Sequence, residues 1–410
     1  MKEAIKEESA SHRQFSVARA WVRSSVAQYK TASLSIRFED VFDMASLIFR
    51  YVATSVFLSA TVRAVTPVVA ETTSYGSLAD PLNRDSCSSS LWTENVVLWT
   101  CRDSQVVDSD GNPVDPSIAN TASFSSLPSG RNQPKALALS PEPFGSLFYP
   151  LEADECPPLG LCNGTRWVGW PDTGPLVTFR GLNGAVNAYA FITRQHLSGL
   201  DIFDTPGYSL YRVVSEHAGP LPTAKVEISS FWSGTQIGYG TAASVRHNGF
   251  ACLYGATPSR HLAVARAKLT DLFGSIEDKC IYEYYVNGSW VKTAPASNNT
   301  AIALPNTSAT QGTVYWSPKW QSYVWIGGDS FPDANFLIST ASKAEGPWSV
   351  PQQFYSGPVG NGSLPAYSAI AHPSLTDGTG DYIFLTYTRT RPAPSGEDLY
   401  DTPLIRVDWK

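Results

Sequence analysis

Two aspartates lie in different local environments, and together they supply the paired carboxyl groups that glycoside hydrolysis needs. Asp85 lies between Arg84 and Ser86, ahead of the first strongly apolar segment, where a neighbouring cation would keep its carboxylate ionised as a general base. Asp172 follows Trp170 and a proline, and an aromatic setting would favour a protonated general acid. Each aspartate can equally be an ordinary turn residue, so the pair is a hypothesis.

Five further residues are candidates for supporting or substrate-binding roles. Asp103 follows an apolar segment and either positions substrate, tunes the ionisation of Asp85 or caps a turn, and Glu216 is the substitute acid. His372 precedes a proline and could bond a sugar hydroxyl or a carboxylate, with a structural histidine as the alternative. Tyr239 and Tyr367 lie in Gly- or Ala-rich segments that allow close approach. These two rings are therefore predicted to line the mouth of a sugar pocket.

The elements that must position these residues are short strands separated by turn-forming residues. Five aromatic or aliphatic runs recur along the chain, at 96–100, 188–193, 250–254, 323–326 and 382–387. Three more follow after polar turns, at 262–267, 335–341 and 402–407. The pattern predicts an all-β fold, a five-bladed β-propeller, in which inner strands bring distant carboxylates to one axis. A β-sandwich or two β-domains is the alternative.

Several motifs within this pattern resemble one protein family. They comprise His261 to Arg266 with Leu269 and Leu272, the set Tyr282, Tyr284, Tyr285, Gly288 and Trp290, the run Ser339, Thr340 and Ala341, the turn Glu345 to Ser349, Ala371 to Pro373, and Asp401 to Val407. They resemble the family called domain of unknown function 4185, extracellular five-bladed propellers that include D-arabinan hydrolases among bacterial members. The resemblance covers most of residues 78–410. Where bacterial members carry Gly-Asp-Thr in the first blade, this chain has Arg102, Asp103 and Ser104, so the substrate is left open.

A secretory signal peptide is predicted to begin at Met44. A short start with Arg50 precedes an apolar stretch over 51–62, and cleavage is expected after Ala64. This stretch is too short to span a bilayer, which needs roughly 20 residues. A buried core helix is the alternative. The division predicted is an upstream extension or gene-model artefact at 1–43, a signal peptide at 44–64, a short segment at 65–77 and one propeller domain at 78–410.

The charge of the chain after residue 64 argues against nucleic acid as a partner. Residues 65–410 carry 21 Lys or Arg and 30 Asp or Glu, a net charge near −9, and no basic stripe. Phosphate backbones are bound by clustered cations, so this balance repels them. The expected partner is a poly- or oligosaccharide, met outside the cell by a monomer without a membrane anchor.

Cysteines and glycosylation motifs agree with an extracellular location. The six cysteines, an even number, suit disulfides between neighbours in sequence, namely Cys87 with Cys101, Cys156 with Cys162 and Cys252 with Cys280. Their spacing does not favour a zinc site. Five Asn-x-Ser/Thr motifs mark surface loops, at Asn163, Asn287, Asn298, Asn306 and Asn361.

Other chemistries lack their motifs in this sequence. There is no Gly-x-Ser-x-Gly elbow, no dinucleotide fingerprint and no phosphate-binding loop. No cofactor is expected, although a structural Ca²⁺ in a central channel is compatible with scattered oxygen ligands. Two hypotheses remain: a secreted glycoside hydrolase, with furanose-rich, arabinan-like polymers among its candidate substrates, or a non-catalytic propeller that binds carbohydrate or another surface.

Overall fold

A computed structural model describes residues 65–127, 139, 145–216, 222–270, 275–309, 311–328 and 330–410. These residues form 26 strands and four short 3-10 helices, so the all-β prediction is confirmed. The signal peptide and the extension before it lie outside the described residues. Within the described ranges, no helix is long and apolar enough to cross a membrane.

The first seven described strands include the members of two small antiparallel sheets. They are β1 (Val69–Ser77), β2 (Asn83–Arg84), β3 (Cys87–Leu91), β4 (Val96–Cys101), β5 (Ser104–Val107), β6 (Pro113–Ile118) and β7 (Thr121–Ser126). One sheet has the order β3-β4-β7 and the other β2-β5-β6, whereas β1 belongs to neither. The turn between β2 and β3 carries Asp85, so this candidate is placed where the two sheets meet.

The next sheet contains the longest strands of the molecule. Its members are β8 (Leu161–Cys162), β9 (Thr165–Trp170), β10 (Leu176–Arg180), β11 (Val186–Ser198), β12 (Asp201–Ser215) and β13 (Thr223–Ser233). The order is β13-β12-β11-β9-β8, and β10 pairs with the first half of β11. Asp172 lies in the connection from β9 to β10, beyond the end of β9.

Two meandering sheets follow, in which each strand pairs with its neighbour in sequence. The first contains β14 (Ala243–His247), β15 (Phe250–Ala256), β16 (Leu262–Lys268), β17 (Glu283–Val286) and β18 (Ser289–Val291). The second contains β19 (Gln311–Ser317), β20 (Ser322–Gly328), β21 (Asn335–Ala341) and β22 (Gln352–Ser356). Three 3-10 helices connect these strands: η1 (Ser275–Glu277), η2 (Lys279–Ile281) and η3 (Thr300–Ile302).

The last sheet joins the two ends of the described chain. It contains β23 (Ala366–Ala371), β24 (Tyr382–Pro392), β25 (Asp398–Asp401) and β26 (Pro403–Trp409), with the helix η4 (Pro373–Leu375) after β23. Strand β1 completes it in the order β1-β26-β24-β23, with Val69 opposite Trp409 and Ser74 opposite Ile405. Such pairing is how a ring of sheets closes.

Strand β4 shows how the sheets pack on one another. Adjacent strand residues point to opposite faces, so Leu98 packs with Ile192 of β11, whereas Trp99 packs with Phe384 of β24. The sheet of β3, β4 and β7 is therefore buried between the sheets of β8–β13 and β23–β26. Further apolar clusters join the sheet of β8–β13 to that of β14–β18, then to β19–β22, and finally to β23–β26. The packing is cyclic, as in a propeller, and the number of blades stays a prediction.

The apolar runs of the sequence are strands in the structure. All five of the aromatic runs fall within β4, β11, β15, β20 and β24, and the three later runs correspond to β16, β21 and β26. Most of these strands lie in the middle of their sheets and are buried on both faces, which explains their nearly continuous apolar sequences.

Two of the three expected disulfides are present. Cys87 bonds Cys101 across β3 and β4, and Cys156 bonds Cys162. The third pairing is wrong, since Cys252 and Cys280 are both free. Cys252 lies on β15 in the core shared with β19–β22. Cys280 lies on η2, next to Lys279, which contacts aromatic rings of β13. These contacts are on the opposite side of the β14–β18 sheet from Cys252, so the two thiols cannot meet.

All five asparagines of the glycosylation motifs are exposed, namely Asn163, Asn287, Asn298, Asn306 and Asn361. Exposure is a requirement for modification of such asparagines. Glycosylation itself stays a prediction.

The two free cysteines should differ sharply in reactivity. Cys280 is exposed, whereas burial raises the pKa of the Cys252 thiol and keeps it protonated. We expect one thiol to react rapidly in the native protein and a second only after unfolding without reductant, as measured by thiol titration and mass spectrometry. The Cys280→Ser variant should lose the rapid phase. Absence of any titratable thiol in the unfolded protein would contradict the two free cysteines.

Candidate active site

A concave pocket lies where five of the six sheets converge. Two contiguous cavities of about 270 and 410 Å³ form it and share Asp172, Gln195 and Gln311 in their walls. Each sheet contributes, because Arg102 follows β4, Gln195 lies on β11, Ala243 begins β14, Gln311 begins β19 and Ser368 lies on β23. We call this the central pocket.

Asp172 lines the central pocket and forms an ion pair with Arg102. Its side chain is one-third exposed. The guanidinium of Arg102 also lies 5.6 Å from the centre of the Trp170 ring, and its Nε has no hydrogen-bond partner among the described residues. An adjacent cation favours the charged form of a carboxylate. The ion pair therefore opposes the protonated Asp172 that the sequence predicted.

Asp85 lies next to this ion pair and is buried. Its carboxylate accepts a hydrogen bond from Thr388 Oγ1 at 3.2 Å and another from the Tyr367 hydroxyl. Burial raises the pKa of Asp85 to about 6, while the charge of Arg102 lowers this pKa and that of Asp103 raises it. Asp85 thus titrates close to neutral pH, although the residue does not line the central pocket.

The cation that acts on Asp85 is Arg102, whereas the sequence suggested Arg84. Arg84 Nε donates to Asp80 Oδ1 at 3.1 Å, and Arg84 Nη1 donates to Thr121 Oγ1 at 3.2 Å. Arg102 is tied to Asp85 through the backbone as well, because its N–H donates to the Asp85 carbonyl at 2.9 Å. The neighbour in sequence is therefore a less useful guide here than the neighbour in space.

Asp103 is held beside Asp85 by two donors. Arg166 Nη2 donates to one carboxylate oxygen at 2.7 Å, and Trp170 Nε1 donates to the other at 3.2 Å. The Asp103 carbonyl accepts the N–H of Asp85 at 2.8 Å. Asp103 consequently belongs to the same cluster as Asp85 and raises its pKa through a like charge.

Tyr367 connects the last sheet to Asp85. Its hydroxyl bonds the Asp85 carboxylate, and its own pKa is raised by burial and by the charge of Asp85. The next residue, Ser368, has a left-handed backbone with φ of 59° and lines the central pocket. The Ser368 hydroxyl is buried with no hydrogen-bond partner among the described residues. Tyr367 therefore lies behind the pocket wall and not at its mouth.

Tyr239 lies in the core, so its prediction as a pocket residue is wrong. Its ring packs 5.6 Å from Trp232 and 5.3 Å from Tyr284, between two sheets. The neighbouring Gly238 and Thr241 line the central pocket instead. The small residues of this segment do approach the pocket, but the tyrosine side chain points away from it into the apolar interface.

His372 has a structural position, which is the alternative that the sequence left open. Its Nδ1 is bonded to Ser89 Oγ at 2.7 Å and its Nε2 to Thr386 Oγ1 at 2.6 Å. Burial lowers the pKa of His372 to about 3, so the ring is neutral. Because both ring nitrogens are occupied, His372 joins β3 to β24 and has no free atom for a sugar. Glu216, exposed after β12, does not line the central pocket either.

Sequence reasoning missed the amide and arginine side chains of the pocket. Gln195 lies at a β-bulge, where the register of β11 against β12 shifts between Arg194 and His196. Gln311 and Arg260 face the pocket from other sheets. A bulge redirects a side chain without leaving a sequence signature, and glutamines at strand ends are common. Of these missed arginine and glutamine residues, only Arg102 is adjacent in sequence to a predicted site residue.

Among the described residues, no group of three or more His, Cys, Asp or Glu side chains could hold a metal ion.

Comparison with known proteins gives structural relatives only. No family model and no curated protein sequence matches the chain. A structure from Bacteroides ovatus described as a "putative hydrolase" is 17% identical with a TM-score of 0.55, over 81% of this chain and 86% of that one. A GH43_1 enzyme from Xanthomonas citri complexed with xylotriose is 12% identical, with a TM-score of 0.41 over 84% and 90% of the two chains. An exo-beta-1,3-galactanase from Phanerochaete chrysosporium is 13% identical, with a TM-score of 0.41 over 81% and 64%. The first similarity shows a shared fold.

The Asp85→Asn variant should be more stable than the wild type at neutral pH. The pKa of Asp85 is raised from 3.8 to about 6, so the folded state favours the protonated form and loses stability as pH rises through this window. Removing the charge should raise the free energy of unfolding by up to about 3 kcal/mol at pH 7.5 and change it little at pH 3.5, as measured by urea denaturation.

Asp172→Asn is the matched control, because it breaks an ion pair and should give no such gain. The stability gained by Asp85→Asn over wild type should be larger at pH 7.5 than at pH 3.5. An equal gain at the two pH values would contradict the raised pKa of the buried Asp85.

Proposed function

We propose that this chain is a secreted glycoside hydrolase that cleaves a polysaccharide in the central pocket of a five-bladed β-propeller. One observation carries the proposal: the carboxyl groups of Asp85 and Asp172, from different sheets, neighbour the same guanidinium, Arg102, at the wall of a concave pocket. Glycosidic bond cleavage requires two carboxyls, one that donates a proton and one that acts as a base or nucleophile.

Cyclic packing of five sheets supports the five-bladed arrangement. In this reading the sheet of β3, β4 and β7 is the first blade, with β2, β5 and β6 as an addition to it, and β1 closes the fifth. The region from Arg63 to Lys410 clusters as one compact unit, in agreement with a single domain. Membership of the family called domain of unknown function 4185 is part of this proposal. The description of the Bacteroides ovatus structure as a "putative hydrolase" agrees with the proposed hydrolase activity.

The electrostatic environment favours an exchange of the roles that the sequence suggested. Asp85, with its raised pKa, is the general acid that protonates the leaving oxygen. Asp172, charged beside Arg102, is the carboxylate that activates water or attacks the sugar. Tyr367 and Thr388 orient Asp85 as positioning residues.

Substrate must change this resting arrangement before cleavage. Asp85 is only 8% exposed, and of its neighbours Arg102 is the one that also lines the central pocket. We therefore propose that a bound sugar draws Arg102 away from Asp172 and gives access to Asp85. The unpaired Nε of Arg102 and the unpaired hydroxyl of Ser368 are available to bond sugar hydroxyls in the same step.

Extracellular location and substrate complete the proposal. Two disulfides and five exposed glycosylation motifs agree with a protein secreted by the signal peptide at 44–64. The furanose-rich, arabinan-like substrate rests on the family resemblance. A non-catalytic carbohydrate-binding propeller is the second candidate, favoured by the burial of Asp85 and the closed ion pair of Asp172.

Substitution of either carboxyl should abolish turnover but leave the fold intact. We expect Asp85→Asn and Asp172→Asn each to lower hydrolysis of the best polymer in a panel that includes D-arabinan by at least about 100-fold, measured as released reducing sugar. Asp110→Asn changes an exposed loop aspartate and is the control with full activity. Equal release by all four proteins, or none by wild type on any polymer, would favour the binding propeller.

The pH dependence of kcat/KM should identify the role of Asp85. A general acid must be protonated, so kcat/KM should fall about tenfold per pH unit above the pKa of Asp85, which is about 6. A rate that instead rises as pH passes 6 would return Asp85 to the role of general base. Asp85→Glu keeps a carboxylic acid and should shift the pH profile without removing the fall in kcat/KM at high pH.

A further inference from the structure

A second pocket opens at the other end of strands that reach the central pocket. Its volume is about 450 Å³, and it lies between the sheets of β14–β18 and β19–β22. Along β19, Gln311 lines the central pocket and Trp316 lines the second pocket. Along β14, Ala243 lines the central pocket and His247 lines the second pocket. With a rise of about 3.3 Å per residue, the two pockets are roughly 15 Å apart.

Aromatic rings form much of the second pocket. The His247 ring stacks on Trp316, with centres 3.8 Å apart and planes 18° from parallel, and Tyr323 packs edge-on against both rings. Trp290 also lines the pocket, and the Arg266 guanidinium lies over its ring, 4.1 Å from the ring centre. Flat rings with polar rims suit ligands that have both apolar faces and polar edges.

An unpaired polar atom belongs to this aromatic lining. His247 Nε2 is buried with no hydrogen-bond partner among the described residues. Burial lowers the pKa of His247, so the ring is neutral at neutral pH and can donate or accept one hydrogen bond. More than nine in ten buried polar groups in proteins are paired, so this nitrogen calls for a partner that the described residues do not supply.

The charges around the second pocket balance. Arg266 is already paired with Glu283, at 2.8 Å. The remaining charged residues of the lining are Lys343 and Glu345, which have opposite signs. The pocket therefore has no excess of charge that would attract an anion or a cation, and an uncharged ligand fits it better than a uronate or a phosphate.

We propose that the second pocket is a secondary saccharide-binding site that holds a neutral sugar residue against Trp316, with a sugar hydroxyl bonded to His247 Nε2. The identity of the sugar as part of the polysaccharide substrate rests on the proposed function. Because the central pocket opens at the other end of the strands, the second pocket holds a distant part of the same polymer or a neighbouring chain. Two attachments raise the apparent affinity for polymer over that for a short oligosaccharide.

Affinity electrophoresis in gels containing D-arabinan, arabinoxylan or galactan tests this site. All variants carry Asp85→Asn, so the polymer is not consumed. We expect Trp316→Ala to weaken the retardation by the preferred polymer about tenfold. Trp320→Ala is the matched control, since Trp320 lies in the turn after β19 and packs on Trp409 outside the second pocket; it should be retarded like its parent.

A second variant guards against loss of folding. His247→Ala keeps the Trp316 ring and removes the unpaired nitrogen, and it should weaken retardation several-fold with a melting temperature close to that of the parent. Retardation of both variants equal to that of the parent, or no retardation of the parent in any of the three gels, would overturn the proposal.

Activity of the proteins without the Asp85 change separates this inference from the proposed function. If wild type hydrolyses polymer, Trp316→Ala should cleave short oligosaccharides normally and polymer several-fold more slowly. If wild type hydrolyses nothing but retardation still depends on Trp316, the proposed hydrolase fails and the secondary site stands.

Discussion

The charge of Arg102 is the constraint on which the site depends. It compensates Asp172 directly and lowers the pKa of the buried Asp85, which burial would otherwise raise further. Burying a carboxyl without such compensation is costly, and Asp103 adds a like charge nearby. One guanidinium thus acts on two carboxyls that belong to different sheets. Loss of this cation would leave Asp172 without its ion-pair partner and would raise the pKa of Asp85 further.

Closure of the ring supplies the other half of the site. Thr388 on β24 and Tyr367 on β23 bond Asp85, so its carboxylate is held between the first and the last sheets. His372 joins the same sheets through Ser89 and leaves no polar atom of its ring free. These polar contacts add to the apolar packing of Trp99 on Phe384 across the same seam. Directional hydrogen bonds therefore help to specify how the two sheets meet.

The sequence was sufficient to predict eight of the 26 described strands and some of the residues that cluster around Asp85. Apolar runs gave the strands that are buried in the middle of their sheets, and Asp85, Asp103 and Tyr367 do meet in space. The failures concern direction: Tyr239 turns into the core and Cys252 faces away from Cys280. Whether a side chain faces a pocket or a neighbouring sheet depends on twist and bulges, as at Gln195, which local sequence does not encode. The local sequence likewise pointed to Arg84 as the cation beside Asp85, whereas the folded chain brings Arg102 there.

The pairing of β1 with β26 has a consequence for biosynthesis. The first described strand can find its partner only after β26 has been made, so β1 stays unpaired and the ring stays open until then. Contacts between such distant parts of a chain form slowly, and unpaired strand edges invite aggregation in the interval. Because Asp85 takes its hydrogen bonds from β23 and β24, the carboxyl cluster is also assembled last. A ribosome that stops short of β23 would release a polypeptide with most of its strands but without this cluster.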